Sequence, residues 1–169
     1  MTFIATLIIM DARKKVNRLI MVRIIVFKNE YAEKLAAFSK KENDERLHDL
    51  LSTARSPSDR EEILICLNEN DEILGACKVT FTDVVTAESL DYVYVGKAYR
   101  KDENGTLLVV AVFQRAVNRL ITRLIAKIDA RDEIAFAFMK KLGFTVTEEK
   151  DGTKYMSKNL LYMFGAEKH

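Results

Sequence analysis

The chain is poor in the residues that carry most recognisable chemistry. It has two histidines, His48 and His169, too few for a His-based metal cluster, and they argue against a structural zinc or a serine-type triad. The two cysteines, Cys66 and Cys77, both sit in apolar strand-like runs and neither belongs to a CxxC pair, so free, buried thiols in a reduced, cytoplasmic protein are expected. With one proline and six glycines there is no low-complexity segment, repeat or linker. Neither sign of charge is in large excess: a net charge of +2 gives no footprint for nucleic acid. The N-terminal apolar run Phe3–Met10 is eight residues long, too short to cross a bilayer. It has no basic segment before it and no cleavage site after it, so neither a signal peptide nor a membrane partner is expected.

What is present is the make-up of one globular domain: 169 residues, 49% hydrophobic and 31% charged. The expected domain spans 21–169, with 1–20 as an extra strand or helix packed on the fold, or an upstream extension that the fold does not need. Val22–Phe27 is rich in β-branched residues and predicts the first strand. Asn29 predicts an N-cap for a helix from Glu30, and Asn43-Asp44 the start of a second helix. Ser52–Asp59, with Pro57, predicts a loop. Strands follow at Glu62–Asn68 and Ile73–Thr82, joined by the polar turn Glu69–Glu72, and a third at Leu90–Val95. Thr106–Leu120 is a helix apolar over much of its circumference, and Leu124–Ile128 a strand. Asp132–Leu142 is a helix with Ile134, Ala135, Phe138, Met139 and Leu142 on one face, stopped by Gly143. Phe144–Glu148 and Lys154–Asn159 are the last strands. This order predicts an α/β (α+β) fold, a central mixed, mostly antiparallel, twisted sheet of about six to seven strands flanked by about four helices. One crossover joins the strands either side of the Thr106–Leu120 helix.

The stretch Leu90–Leu108 concentrates the functional signal. A strand ends, a short charged turn follows, and Gly105 opens an apolar helix. Backbone N–H groups at such a helix start suit an anion such as a phosphate. The turn Arg100–Gly105 (RKDENG) is either a phosphate cradle or a solvated charged loop without a ligand.

These local motifs, in this order, resemble the GNAT superfamily of acetyl-CoA-dependent N-acetyltransferases from about Val22 to Asn159. In that family a strand with a hydrophobic-x-Val ending leads into Arg/Gln-x-x-Gly-x-Gly/Ala and an apolar helix. Here Val93 and Val95 lie on the strand, Arg100 opens the motif and Gly105 closes it. Downstream, DEIAFAFMKKLGF places Ala135, Phe138, Leu142, Gly143 and Phe144 in register with the family's Asn-x-x-Ala…Gly-Phe pattern, and Gly75 also suits it. Three positions depart from it. Glu103 replaces the first glycine, Asp132 the helix-starting Asn, and Met139 the tyrosine proposed as general acid.

The resemblance implies an N-acetyltransferase that moves an acetyl group from acetyl-CoA to a primary amine by direct attack. It also allows a weakened or inactive binding module that keeps the fold. It implies backbone groups of Val93 and Val95 on the pantetheine and the segment Arg100, Lys101, Glu103, Asn104, Gly105 and Thr106 on the diphosphate. Asp132 and Phe138 complete the cofactor set, and no metal is implied. Asp91, two residues before Val93, is the candidate base acting through water, with a surface role as the alternative. Tyr92 and Tyr94, on one face of the strand, are candidates to line the acceptor pocket or to act as acid, with packing as the alternative. The acceptor is an amine-bearing small molecule or protein, and the apolar N-terminal segment is a candidate homodimer contact.

Overall fold

In a computed structural model the backbone is described for residues 3–11 and 16–165, and side chains for 21–163. Residues 12–15 and His169 lie outside the described residues. Among those described there are eight strands and four α-helices: the seven strands and four helices expected from Val22 onward, and one further strand before them. The strands are β1 (Phe3–Asp11), β2 (Val16–Val26), β3 (Glu61–Leu67), β4 (Ile73–Phe81), β5 (Ala87–Val95), β6 (Arg123–Asp129), β7 (Thr145–Lys150) and β8 (Thr153–Asn159). The helices are α1 (Ala32–Glu42), α2 (Glu45–Arg55), α3 (Asn104–Asn118) and α4 (Glu133–Lys141). The sheet order is β1-β2-β3-β4-β5-β6-β8-β7, so the expected mixed sheet is present with β1 as one further strand at its edge.

The chain packs as two units, and β4, β5 and α3 each pass from one to the other. The first comprises Met1–Lys78 and Val93–Ala111. Here β2 runs antiparallel to β1 along its whole length, but meets β3 only from Arg23 to Val26. The strand expected at Val22 therefore starts at Val16, because β1 supplies the pairing that extends it. Leu35 and Phe38 of α1, Leu47 and Leu50 of α2 and the run Ile63–Leu67 of β3 are buried. Burying these side chains is the main favourable term in such a unit, at about 1.5–3 kcal/mol each. Asp44 caps α2 by accepting the Arg46 N–H at 3.0 Å. The predicted cap at Asn29 differs: Asn29–Tyr31 form a 3-10 turn, and α1 begins at Ala32 without a side-chain cap. Lys78, only 7% exposed, is neutralised by Asp49 at 2.8 Å and Glu61 at 3.0 Å.

The second unit comprises Val79–Tyr92 and Val112–His169. In it β5 runs parallel to β6 through Ala87–Leu90, and β8 lies antiparallel between β6 and β7. Glu88, 2% exposed, is held by Arg119 at 2.8 Å. The end of α4 explains its Leu-Gly-Phe signature. Gly143 has φ +86°, its N–H bonds Lys140 O at 2.9 Å, and a side chain there would meet Lys158 Nζ at 2.6 Å. Phe144 then turns into the core beside Phe113. Ile134, expected on the buried face of α4, is 86% exposed.

Candidate active site

The first unit carries the strand end, the turn and the helix start. β5 is seated on β4 with no room to spare: a Cβ on Gly75 would stand 2.6 Å from Tyr94 O and 3.3 Å from Leu108 Cδ1. Only glycine at 75 lets the β5 backbone and α3 come this close. After Val95, Gly96 N–H bonds Leu74 O at 2.9 Å, and Lys97–Tyr99 form a 3-10 turn. Val93 and Val95 are half-buried.

The turn that follows contains two left-handed residues. φ is +77° at Lys101 and +59° at Glu103, between which the chain has an ordinary residue, Asp102. Left-handed residues alternating with ordinary ones aim successive N–H groups to one side, the concave arrangement that binds anions. Glu103 thus adopts the conformation for which the family pattern keeps a glycine, and its side chain is exposed. Leu107 N–H bonds Glu103 O at 3.0 Å, and the N–H groups of Asn104, Gly105 and Thr106 precede that helical bond. No acidic residue lies in the first turn of α3. The Asn104 side chain, 3% exposed, points inward: Nδ2 donates to Tyr99 O at 3.1 Å and the Cys66 thiol lies 3.9 Å from Oδ1. This side chain closes the turn from the inside.

Arg100 is exposed and folded back. Its Nε donates to Val95 O at 3.1 Å and its guanidinium lies 5.6 Å from the Tyr94 ring centre. Arg46, held in a two-point grip by Asp44, lies 5.2 Å from the same ring. The hydrogen bonds from Arg46, and then the charges of Arg46 and Arg100, hold the Asp44 carboxyl below its ordinary value. Tyr94 is 1% exposed, packs edge-on against Phe38 and donates its hydroxyl to Glu42 Oε2 at 3.0 Å. Burial, then the Glu42 carboxylate, push its pKa up.

In the second unit, Asp91 is half-buried, and its carboxylate accepts from Thr80 Oγ1 at 2.6 Å and Ser89 Oγ at 2.8 Å. Tyr92 is half-buried. Asp132 caps α4, its Oδ1 accepting the Ala135 N–H at 2.9 Å. Phe138 is half-buried and Met139 buried. A cleft of about 480 Å³ is lined by Lys127, Asp129, Arg131, Asp151, Thr153 and Tyr155 among others. Arg131 grips Asp129 at 2.9 Å and lowers its carboxyl to about 2. None of these residues was expected in a site, and the local sequence signal for them is the Asp-x-Arg spacing at the end of β6. Among the described residues no group of His, Cys, Asp and Glu is arranged to hold a metal, and no helix is long and apolar enough to cross a membrane.

Residues 26–144 match the model of the acetyltransferase (GNAT) family. The chain belongs to that family. Solved structures agree with this GNAT fold. The PaiA N-acetyltransferase from Thermoplasma acidophilum, solved with coenzyme A, superposes with a TM-score of 0.69 at 16% identity, covering 82% of this chain and 98% of that one. A GNAT-family acetyltransferase from Staphylococcus aureus Mu50 gives 0.68 at 18% identity, covering 82% and 99%. The ribosomal-protein-S18-alanine N-acetyltransferase from Escherichia coli gives 0.66 at 14% identity, covering 83% and 94%. At these identities the likeness is one of fold. No curated protein matches the chain by sequence. A GNAT fold and acyl transfer are thus the frame for the residues above.

Proposed function

We propose that this GNAT protein is a cytoplasmic N-acetyltransferase that moves an acetyl group from acetyl-CoA to a primary amine. The observation that carries the proposal is the left-handed backbone at Glu103. The turn keeps its cradle shape although the glycine that normally allows it is gone. Backbone N–H groups of residues 100–106 hold the diphosphate, and Val93 and Val95 hold the pantetheine by their backbone. Acetyl-CoA supplies an activated thioester. The neutral amine attacks its carbonyl carbon, the C–N bond forms, the C–S bond breaks and coenzyme A leaves as a thiolate. Asp91 takes the ammonium proton through water. With Met139 at the family's tyrosine position, the thiolate is protonated by solvent. The Tyr94 proton is directed at Glu42, so this residue serves by packing beneath the strand end.

Support for a coenzyme A donor also comes from the PaiA structure, which holds coenzyme A on the same fold. The acceptor is an amine on a small molecule or a protein. We also propose a homodimer formed along β1, whose apolar sequence lies at the sheet edge. The second functional reading is a binding module with lost catalysis, favoured by Met139 and by two acids, Asp102 and Glu103, at the phosphate turn. Calorimetry with acetyl-CoA, followed by thiol release with a panel of primary amines, tests both. Binding with thiol release is the expected result. Binding without release supports the module, and no binding at millimolar ligand overturns both.

A further inference from the structure

Glu42, the last residue of α1, is a carboxylate only 4% exposed. Burying a charge there is costly unless its partners repay it. Its partners all lie on one short segment at the end of β5. Oε2 accepts from the Tyr94 hydroxyl at 3.0 Å and from the Lys97 backbone N–H at 2.9 Å. Lys97 Nζ returns to the Glu42 main-chain carbonyl at 3.1 Å. Between these anchors a Cβ on Gly96 would stand 3.3 Å from Oε1, so this oxygen lies close to the Gly96 backbone. Residues 94, 96 and 97 bracket Val95 and lead into the Arg100 turn. A Leu or Met at 42 would fill the same space, but it would hold neither the hydroxyl nor the N–H.

We propose that Glu42 is a positioning residue for acyl transfer. It clamps the end of β5 from α1 and so sets the backbone of Val95, and the start of the phosphate turn, for the acyl donor. This rests on the acetyltransferase reading above. What the role requires is an acceptor oxygen in place, not a negative charge or a base. Glu42→Gln keeps an oxygen that accepts both bonds, and Glu42→Ala removes it. Tyr94→Phe removes one bond and leaves the Lys97 bond.

The test is calorimetry with coenzyme A on the full chain, with thermal unfolding of each variant. Glu42→Ala is expected to weaken binding about tenfold or more, Glu42→Gln to stay within about threefold of wild type, and Tyr94→Phe to fall between. Leu35→Ala, a core change on the same helix, controls for loss of stability and is expected to lower the unfolding temperature while keeping affinity. Equal binding by Glu42→Ala and wild type overturns the inference. So does Glu42→Gln behaving like Glu42→Ala, or Leu35→Ala losing as much affinity. If Glu42→Ala does not fold, Tyr94→Phe decides: wild-type affinity overturns the inference. A wild-type chain that does not bind coenzyme A sinks the acetyltransferase reading instead, so the two failures are distinct.

Discussion

Glu103 sets two effects of similar size against each other. A side chain held at φ +59° costs about 1 kcal/mol, while the glycine that would relieve it loosens the unfolded chain by about 0.5–1 kcal/mol. Glu103→Gly is therefore expected to shift the unfolding temperature by no more than a few degrees. It also removes a carboxylate from beside the phosphate turn, and affinity for coenzyme A is expected to rise up to about tenfold, more at low salt. Unchanged affinity in calorimetry would mean that the exposed carboxylate points clear of the ligand. At Gly75 no such balance exists. The obstacle to a Cβ is the Tyr94 carbonyl itself, 2.6 Å away, and a backbone does not rotate aside. Gly75→Ala is expected to destabilise by about 1–3 kcal/mol, read as a lower urea midpoint with unchanged m-value. The family pattern marked both positions. It gave no hint that the chain would keep the left-handed turn with a glutamate in it.

At the scale of elements, β5, the turn and α3 were legible because each has a strong local signal: a β-branched and aromatic strand, a charged turn, an apolar helix. Glu42 was not legible, because one acid among the charges of α1 looks solvated until the fold brings Tyr94 and Lys97 to it. The place of β8 between β6 and β7 was also hidden, since hairpin signals fix which strands pair in the chain but not which of the two meets β6. The apolar runs that became β3 and β4 did foretell buried thiols. Cys66 and Cys77 are free and buried, and burial pushes both thiols up to about 12 from an ordinary 9.0. Neither is expected to react with an aromatic disulfide reagent at pH 8 in the native protein, while both react once the chain is unfolded. The sign of the linkage follows. The fold favours the neutral thiols, so their contribution is intact below pH 9 and falls as pH rises toward 12, where the unfolded chain has ionised first. Urea midpoints measured between pH 8 and 11 are expected to decline, and less steeply in a Cys66→Ala, Cys77→Ala double variant.

For the whole molecule the open question is what the N-terminal hairpin does. β1 pairs with β2 from Phe3 to Asp11, yet β2 meets β3 only through Arg23–Val26. Removing residues 1–20 takes away β1 and the first part of β2 and leaves every β2·β3 rung in place. The truncated chain starting at Met21 is therefore expected to fold, with the same affinity for coenzyme A, since the proposed cradle, residues 100–106, lies outside the segment removed. The same cut removes the apolar edge strand Phe3–Met10, which as a bare edge is a template for a second copy. If β1 is the contact between copies, sedimentation gives twice the monomer mass for the full chain and a single monomer for the chain from Met21. Identical masses relative to each chain's own length would remove β1 from that role and leave it as a strand that only extends the sheet.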